Sequence, residues 1–228
     1  KEKIEAGELD GWDDPRAPTL KSLRRRGIRG EAVVEALIGL GTSTSNVDLS
    51  MSSIYAANRE LVDDDAERYF LVRDGERFDV EGGPDAGHPP IHPDHEDRGE
   101  RTIPAAGGVV LEPEDVPVGG ERVWLKGYAC VRRESDGASA ADADSGTLVA
   151  TDDDIDVVRD GDVDVVHWAP AEDNVDVRMR TPDGDVTGVA EPDFAETTVD
   201  DVVQFERIGF ARVDEHGSEG SVVYWTHP

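Results

Sequence analysis

The sequence predicts a mainly β protein with a small helical module at its N-terminus; the β part reads as barrels or a sandwich. Two patterns predict this. Up to about residue 65 the apolar residues recur at the three-to-four spacing of a helix face, as in Val33, Val34, Leu37 and Ile38. Beyond the acidic run Asp63-Asp64-Asp65 the period drops to two, and short apolar runs alternate with turn pairs such as Asp74-Gly75, Asp160-Gly161 and Asp183-Gly184. Size agrees: 228 residues, 37% of them hydrophobic, suffice for one large or two modest domains with a lean core.

The first helix is written in residues 11–28. Pro15 and Pro18 hold the backbone extended, because each ring fixes its own φ and pushes the preceding residue out of the helical region. Thr19 is placed to cap a helix whose apolar side is Leu20 and Leu23. Arg24, Arg25 and Arg26 sit where positive charge suits a helix C-terminus, and Gly27 stops it. Residues 29–40 give a second helix with Val33, Val34, Leu37, Ile38 and Leu40 on its apolar face, ended by Gly41. Asp48 is expected to cap a third, with Met51, Ile54, Tyr55 and Leu61 inward. Expected strands follow at 68–73, 77–81, 109–111, 122–125, 129–132, 147–150, 164–168, 175–179, 202–205, 208–213 and 221–225. The low-complexity stretch 134–146 reads as a hairpin tip.

Charge narrows the class. The net charge is −29, from 52 Asp and Glu against 23 Lys and Arg, and only four of the basic residues are lysine. An acidic, lysine-poor chain that keeps strand patterning reads as adapted to molar salt; the alternative is an acidic partner of basic proteins. The charge does not exclude a nucleic acid. At molar salt the Debye length is ~3 Å, so global repulsion is screened, and binding rests on bidentate arginine, stacking and fit. Six of the 23 basic residues fall between Arg16 and Arg29. Cys130 is the sole cysteine, so no internal disulfide forms; it reads as a small buried hydrophobe in a reducing compartment. No apolar run reaches the ~20 residues that span a bilayer.

No catalytic or metal constellation emerges. His88, His92 and His95, with Asp94 and Glu96 beside them, offer imidazoles for zinc, but three prolines stiffen the run and no second ligand pair supports it. His167-Trp168 has no serine or cysteine nucleophile with it. Phosphate-cradling glycine motifs are absent, and Gly107-Gly108 and Gly119-Gly120 read as turns.

Read as whole words, GWDDPR, PT and LRRRGI resemble the segment just after the catalytic domain in glutamyl- and glutaminyl-tRNA synthetases of the archaeal and eukaryotic type. Arg68 in AERYFLV, the His167-Trp168 pair, and Gln204-Phe205-Glu206-Arg207 followed by Ile208-Gly209-Phe210 extend the likeness over the chain. The resemblance implies the C-terminal, anticodon-binding part of such an enzyme, leaning to glutamate specificity. It implies a helical connector at 1–65, a proximal β-barrel from 66–110 and 189–228, and a distal β-barrel at 111–188. Arg68, Gln204 and Arg207 would contact the central anticodon base, a uridine, with Phe205 packed inward. In the distal section the likeness fails. Where glutaminyl enzymes carry a basic strand for the outer anticodon bases, this chain has Val116 and, in WLK, Trp124. Trp124 is expected to stack on a base instead, with Lys126 holding a phosphate. Arg24, Arg25 and Arg26 would meet the tRNA backbone. The implied partner is tRNA(Glu), with tRNA(Gln) as the variant. The chain would act in the cytoplasm, as a monomer, without DNA or membrane. It would hold no cofactor itself; ATP with Mg would belong to a catalytic domain carrying the HIGH and KMSKS motifs, which this chain lacks. The rival readings are a glutaminyl enzyme, a stand-alone ribosomal-type RNA-binding barrel, and a hydrolase using His167 or the histidine loop.

Overall fold

A computed structural model describes residues 1–40, 49–118, 120–133, 146–152, 158 and 163–228. The helices are α1 (Glu2–Glu5), α2 (Leu20–Arg25), α3 (Gly30–Gly39) and α4 (Met51–Val62). The strands are, in chain order, β1 (Arg68–Tyr69), β2 (Leu71–Arg73), β3 (Glu76–Glu81), β4 (Ala86–Gly87), β5 (Ile103–Pro104), β6 (Val109–Leu111), β7 (Arg122–Leu125) and β8 (Ala129–Arg133). They continue as β9 (Gly146–Asp152), β10 (Asp164–Val166), β11 (Ala169–Pro170), β12 (Val175–Thr181), β13 (Gly184–Ala190), β14 (Val202–Phe205), β15 (Gly209–Gly217) and β16 (Gly220–His227). The protein is mainly β, with two barrel-like sheets, one nearly closed and one a half-barrel.

The chain forms two compact units. The first comprises Lys1–Glu67, Arg178–Val186 and Thr197–Pro228; the second, Arg68–Val177 and Thr187–Glu196. The stretch 66–110 supplies β3 and β6, and β3 pairs in parallel with β9, which draws it into the sheet of β7 to β11. The helical module shares a unit with β14, β15 and β16.

In the first unit α2 closes as its sequence asks. Ser22 N donates to Thr19 Oγ1 at 3.0 Å, the expected cap. At the other end Ile28 N donates to Leu23 O and Gly27 N to Arg24 O, the paired bonds of a Schellman motif. Gly27 has φ +87°, and a Cβ there would lie 3.1 Å from Arg212, Thr226 and Val202 atoms, so glycine serves both the turn and the packing. Ile28 and Leu23 then pack with Ala36 and Ile54, the hydrophobic contact that accompanies this motif.

Two helix-face expectations are corrected. The buried face of α3 is Ala32 and Ala36, with Val33 partly covered, whereas Val34, Leu37 and Ile38 are exposed. Alanines four apart leave little side chain between α3 and the α4 helix packed on it, and the larger residues fall outside that seam. Leu20 and Met51 are also exposed. The cap of α4 is Ser50, whose Oγ accepts from Ser53 N at 3.2 Å; Asp48 lies outside the described residues, as do Gly41, Gly119, Asp160-Gly161 and 134–145 of the low-complexity stretch.

The sheet of the first unit runs β14-β15-β16-β12-β13. Register places Val203 opposite Ala211 and Gln204 opposite Phe210. The buried side chains alternate along β14, with Val203 and Phe205 inward. Phe210 joins Val62 and Ala66, seating the end of α4 on β15.

The second unit holds the larger core. Its sheet runs β10-β7-β8-β9-β3-β6-β11, around Phe70, Phe78, Leu125, Leu148 and Trp168. Cys130 is free and fully buried, as expected. Two carboxylates pin loops to this core. Glu191 accepts from Phe70 N and from Arg101 Nε, each at 2.7 Å; Glu112 accepts from Arg73 Nε at 2.7 Å and Nη2 at 2.9 Å. Burial pushes the Glu112 carboxyl up, but the contacts of His167 and Arg73 outweigh it and hold it well below the usual range. Strand β13 escapes the sequence reading because Gly184 and Gly188 weaken its strand signal. Gly188 is there for packing: a Cβ would lie 2.4 Å from Val72 O, across the β13–β2 pair.

Candidate nucleic-acid interface

The arginine run 24–26 separates into three environments, since successive helix positions face different ways. Arg26 is 4% exposed. Its guanidinium donates to Trp225 O at 2.9 Å, Thr226 O at 2.8 Å and the Tyr55 hydroxyl at 2.8 Å, and lies over the Tyr55 and Trp225 rings. It is a structural tie between α2, α4 and β16, and is removed from the expected backbone contacts. Arg25 is engaged by Asp13 at 2.8 Å and Asp214 at 3.1 Å, and stacks on Tyr224 at 4.6 Å. Arg24 is exposed and, among the described residues, makes no ion pair.

The loop before α2 is rigid. Asp14 is buried and accepts from Asp10 N, Arg16 N, Arg16 Nε and Arg16 Nη2 within 2.6–2.9 Å. The bonds from Arg16 hold its carboxyl well below the usual range, against the opposing effect of burial. Trp12 O accepts from Thr19 Oγ1, and the Trp12 side chain is 50% exposed. Trp12 and Lys21 face the same cleft as Arg24. Neither was singled out as a site residue in the sequence; the legible signal was a lone tryptophan in a polar run, Gly11-Trp12-Asp13-Asp14.

Gln204 and Arg207 lie in one turn. Strand β14 ends at Phe205, β15 starts at Gly209, and Ile208 N donates to Phe205 O at 3.0 Å. Arg207 occupies the left-handed region, φ +65°, at the turn position that favours glycine. Its side chain is exposed, Gln204 is half-buried, and Phe205 is fully buried as expected. The second unit contains a matching turn between β7 and β8. There Tyr128 N donates to Leu125 O at 2.8 Å, and the corresponding residue is Gly127 with φ +70°. Gly127 also has no room for a Cβ, which would meet Pro89 N at 2.5 Å. The arginine therefore accepts a backbone cost of ~1–2 kcal/mol that glycine would avoid.

The remaining expected contacts divide. Lys126 is half-buried at the head of the Gly127 turn. Arg68 opens β1 in the second unit and is 4% exposed, its N donating to Ile91 O at 3.0 Å. Trp124 is 3% exposed, so its ring offers no face for a base to stack on, and that expectation is withdrawn.

His167 and His92 are buried, whereas His88 is exposed. His167 is buried and donates from Nε2 to Leu71 O at 2.9 Å, while Trp168 Nε1 donates to Lys126 O at 3.1 Å. His92 is buried, with its ring 4.6 Å from that of His95. No group of metal-ligating side chains occurs among the described residues. No described helix is long and apolar enough to cross a membrane.

Two family models of one description, tRNA synthetases class I (E and Q), anti-codon binding domain, match residues 66–150 and 165–214. The glutamate–tRNA ligase of Haloquadratum walsbyi is 59% identical over 237 residues, and that of Natronomonas pharaonis 60% over 228; the alignments take in 100% of this chain and 39% and 38% of those proteins. The glutamate–tRNA ligase of Methanosarcina acetivorans is 37% identical over 230 residues, with 100% and 39% covered. The chain thus spans about two fifths of the length of these curated relatives. With both models falling on the β part and relatives matching from end to end, the chain belongs to the anticodon-binding family of the class I (E and Q) tRNA synthetases.

Proposed function

We propose that the chain is the anticodon-binding region of a glutamate–tRNA ligase and holds tRNA(Glu) for aminoacylation. The observation that carries this reading is the Gln204–Arg207 turn, where an exposed arginine sits at a left-handed position that glycine fills in the matching turn. Strain of this kind persists where a side chain has to be aimed. In this reading Arg207 and Gln204 address the edge of the central anticodon base, a uridine, and Arg68, buried in the other unit, is not counted among the contacts. Lys126 and Arg24 meet phosphates. Chemistry belongs to the remainder of the ligase, where ATP with Mg activates glutamate before its transfer to the tRNA; no residue of this chain is assigned to ATP, and none is catalytic. The ligase works in the cytoplasm as a monomer.

The test is a binding comparison at fixed molar KCl between a tRNA(Glu) transcript and the same transcript with its central anticodon base changed. A lost bidentate base contact costs ~1–3 kcal/mol, so the cognate transcript should bind roughly tenfold tighter or better. Equal affinity for both would overturn base readout, and no binding to either would overturn the function.

A further inference from the structure

The cleft beside α2 is rich in cations for so acidic a chain. It is open, about 720 Å³, within the volume range of small-ligand pockets, and lies wholly in the first unit. Four cationic side chains line it against three carboxylates, in a chain where acids outnumber bases 52 to 23. The carboxylates are already engaged. Asp13 and Asp214 bind Arg25, and Asp214 and Asp200 bind Arg212. Arg212 Nη1 also donates to Arg25 O at 3.0 Å, so the floor is a closed network. Lys21 and Arg24 stand outside it. They lie three apart on α2, hence on one face, are both exposed, and make no ion pair among the described residues. Beside them Trp12 presents half its surface on a backbone fixed by Thr19 and by the neighbouring Asp13–Arg25 pair.

A half-exposed indole on a hydrogen-bonded backbone, next to two cations with no ion pair among the described residues, suits one ligand chemistry, an unpaired nucleotide. A base stacks on an indole whatever its identity, and its phosphate needs neighbouring positive charge. Stacking and short-range charge are also the contacts that survive molar salt. We propose that this cleft holds one unstacked nucleotide of the bound tRNA, its base on Trp12 and its phosphate between Lys21 and Arg24. The inference rests on the tRNA-binding reading and adds to it a sequence-tolerant anchor apart from the anticodon-reading turn.

The fluorescence of the chain supplies the test. Of its four tryptophans, Trp124 and Trp168 are buried, Trp225 is half-buried and Trp12 is exposed. Titrating the chain with tRNA(Glu) transcript in 1.5–2 M KCl (roughly the molar regime where screening is complete) should quench the red-edge emission, and Trp12→Phe should abolish the quench while keeping most of the affinity. Trp12→Ala should weaken binding about tenfold. The Lys21→Ala, Arg24→Ala double variant should weaken binding of cognate and anticodon-changed transcripts alike and lower the salt slope by about one unit. Unquenched emission at saturation, or wild-type affinity in Trp12→Ala, overturns the nucleotide site while leaving the function standing. Absence of tRNA binding by the unaltered chain overturns both.

Discussion

Truncating each of Arg24, Arg25 and Arg26 to alanine in turn should give three different stabilities from one repeated residue. Arg26→Ala strips three hydrogen bonds and leaves the Trp225 and Thr226 carbonyls without their donor beneath a buried site. A hydrogen bond from a charged group is worth ~1.5–3 kcal/mol, and such losses within one network do not simply add, so the cost should be about 3 kcal/mol. Arg25 is a third exposed on its side chain, and its pairs with Asp13 and Asp214 are partly screened; its loss should cost about 1 kcal/mol. Among the described residues Arg24 makes no ion pair that its loss would break, so Arg24→Ala should fall within about 0.5 kcal/mol of the parent. Urea titrations at one molar-range KCl concentration, followed by circular dichroism, read all three. Equal midpoints for Arg24→Ala and Arg26→Ala would refute the assignment of Arg26 as a tie and Arg24 as a free surface cation.

Further consequences follow from the same geometry. Arg207→Gly should stabilise the fold by ~0.5–1 kcal/mol through relief of the left-handed backbone, while Arg207→Ala should not, and urea midpoints distinguish them. Gly27→Ala should cost ~1–3 kcal/mol, because φ +87° is disfavoured and the added Cβ meets three atoms at 3.1 Å; an unchanged midpoint would contradict this. Asp14, Glu112 and Asp214 have carboxyls held below their unfolded values, Asp214 by Arg25 and Arg212 against burial. Between those folded values and ~4 the unfolded chain binds more protons at these three groups, so their contribution should be fully present above about pH 5 and fall as pH drops below 4. Removing it in Asp14→Asn should flatten the loss of midpoint between about pH 5 and 3, and an unchanged pH profile would refute it. Dialysis to low salt should cost β structure, since unscreened carboxylates repel, and an unchanged spectrum would count against adaptation to molar salt.

Local signals in the sequence translated well where one residue controls one bond. Thr19 as cap, Gly27 as stop, and the inward alternation of β14 are all present. Signals failed where a partner decides. The apolar residues of α3 look like a core face, yet the alanines carry the seam because α4 comes close. Strand β13 hides behind glycines whose purpose is visible only against Val72. Three adjacent arginines read as one basic patch, and only the fold separates the buried tie from the exposed cation. The Gln204–Arg207 turn was legible as a word but not as strain, because φ is not written in residue types.

Base readout by Arg207, proposed above, stands or falls on one comparison. The direct measurement is a double comparison at fixed high salt: the unaltered chain and Arg207→Ala, each against tRNA(Glu) transcript and the transcript with its central anticodon base changed. A base reader loses roughly tenfold on the cognate tRNA and little on the changed one, so discrimination collapses. If Arg207→Ala weakens both transcripts equally, the arginine contacts phosphate or structure, and the readout assigned to this turn is wrong.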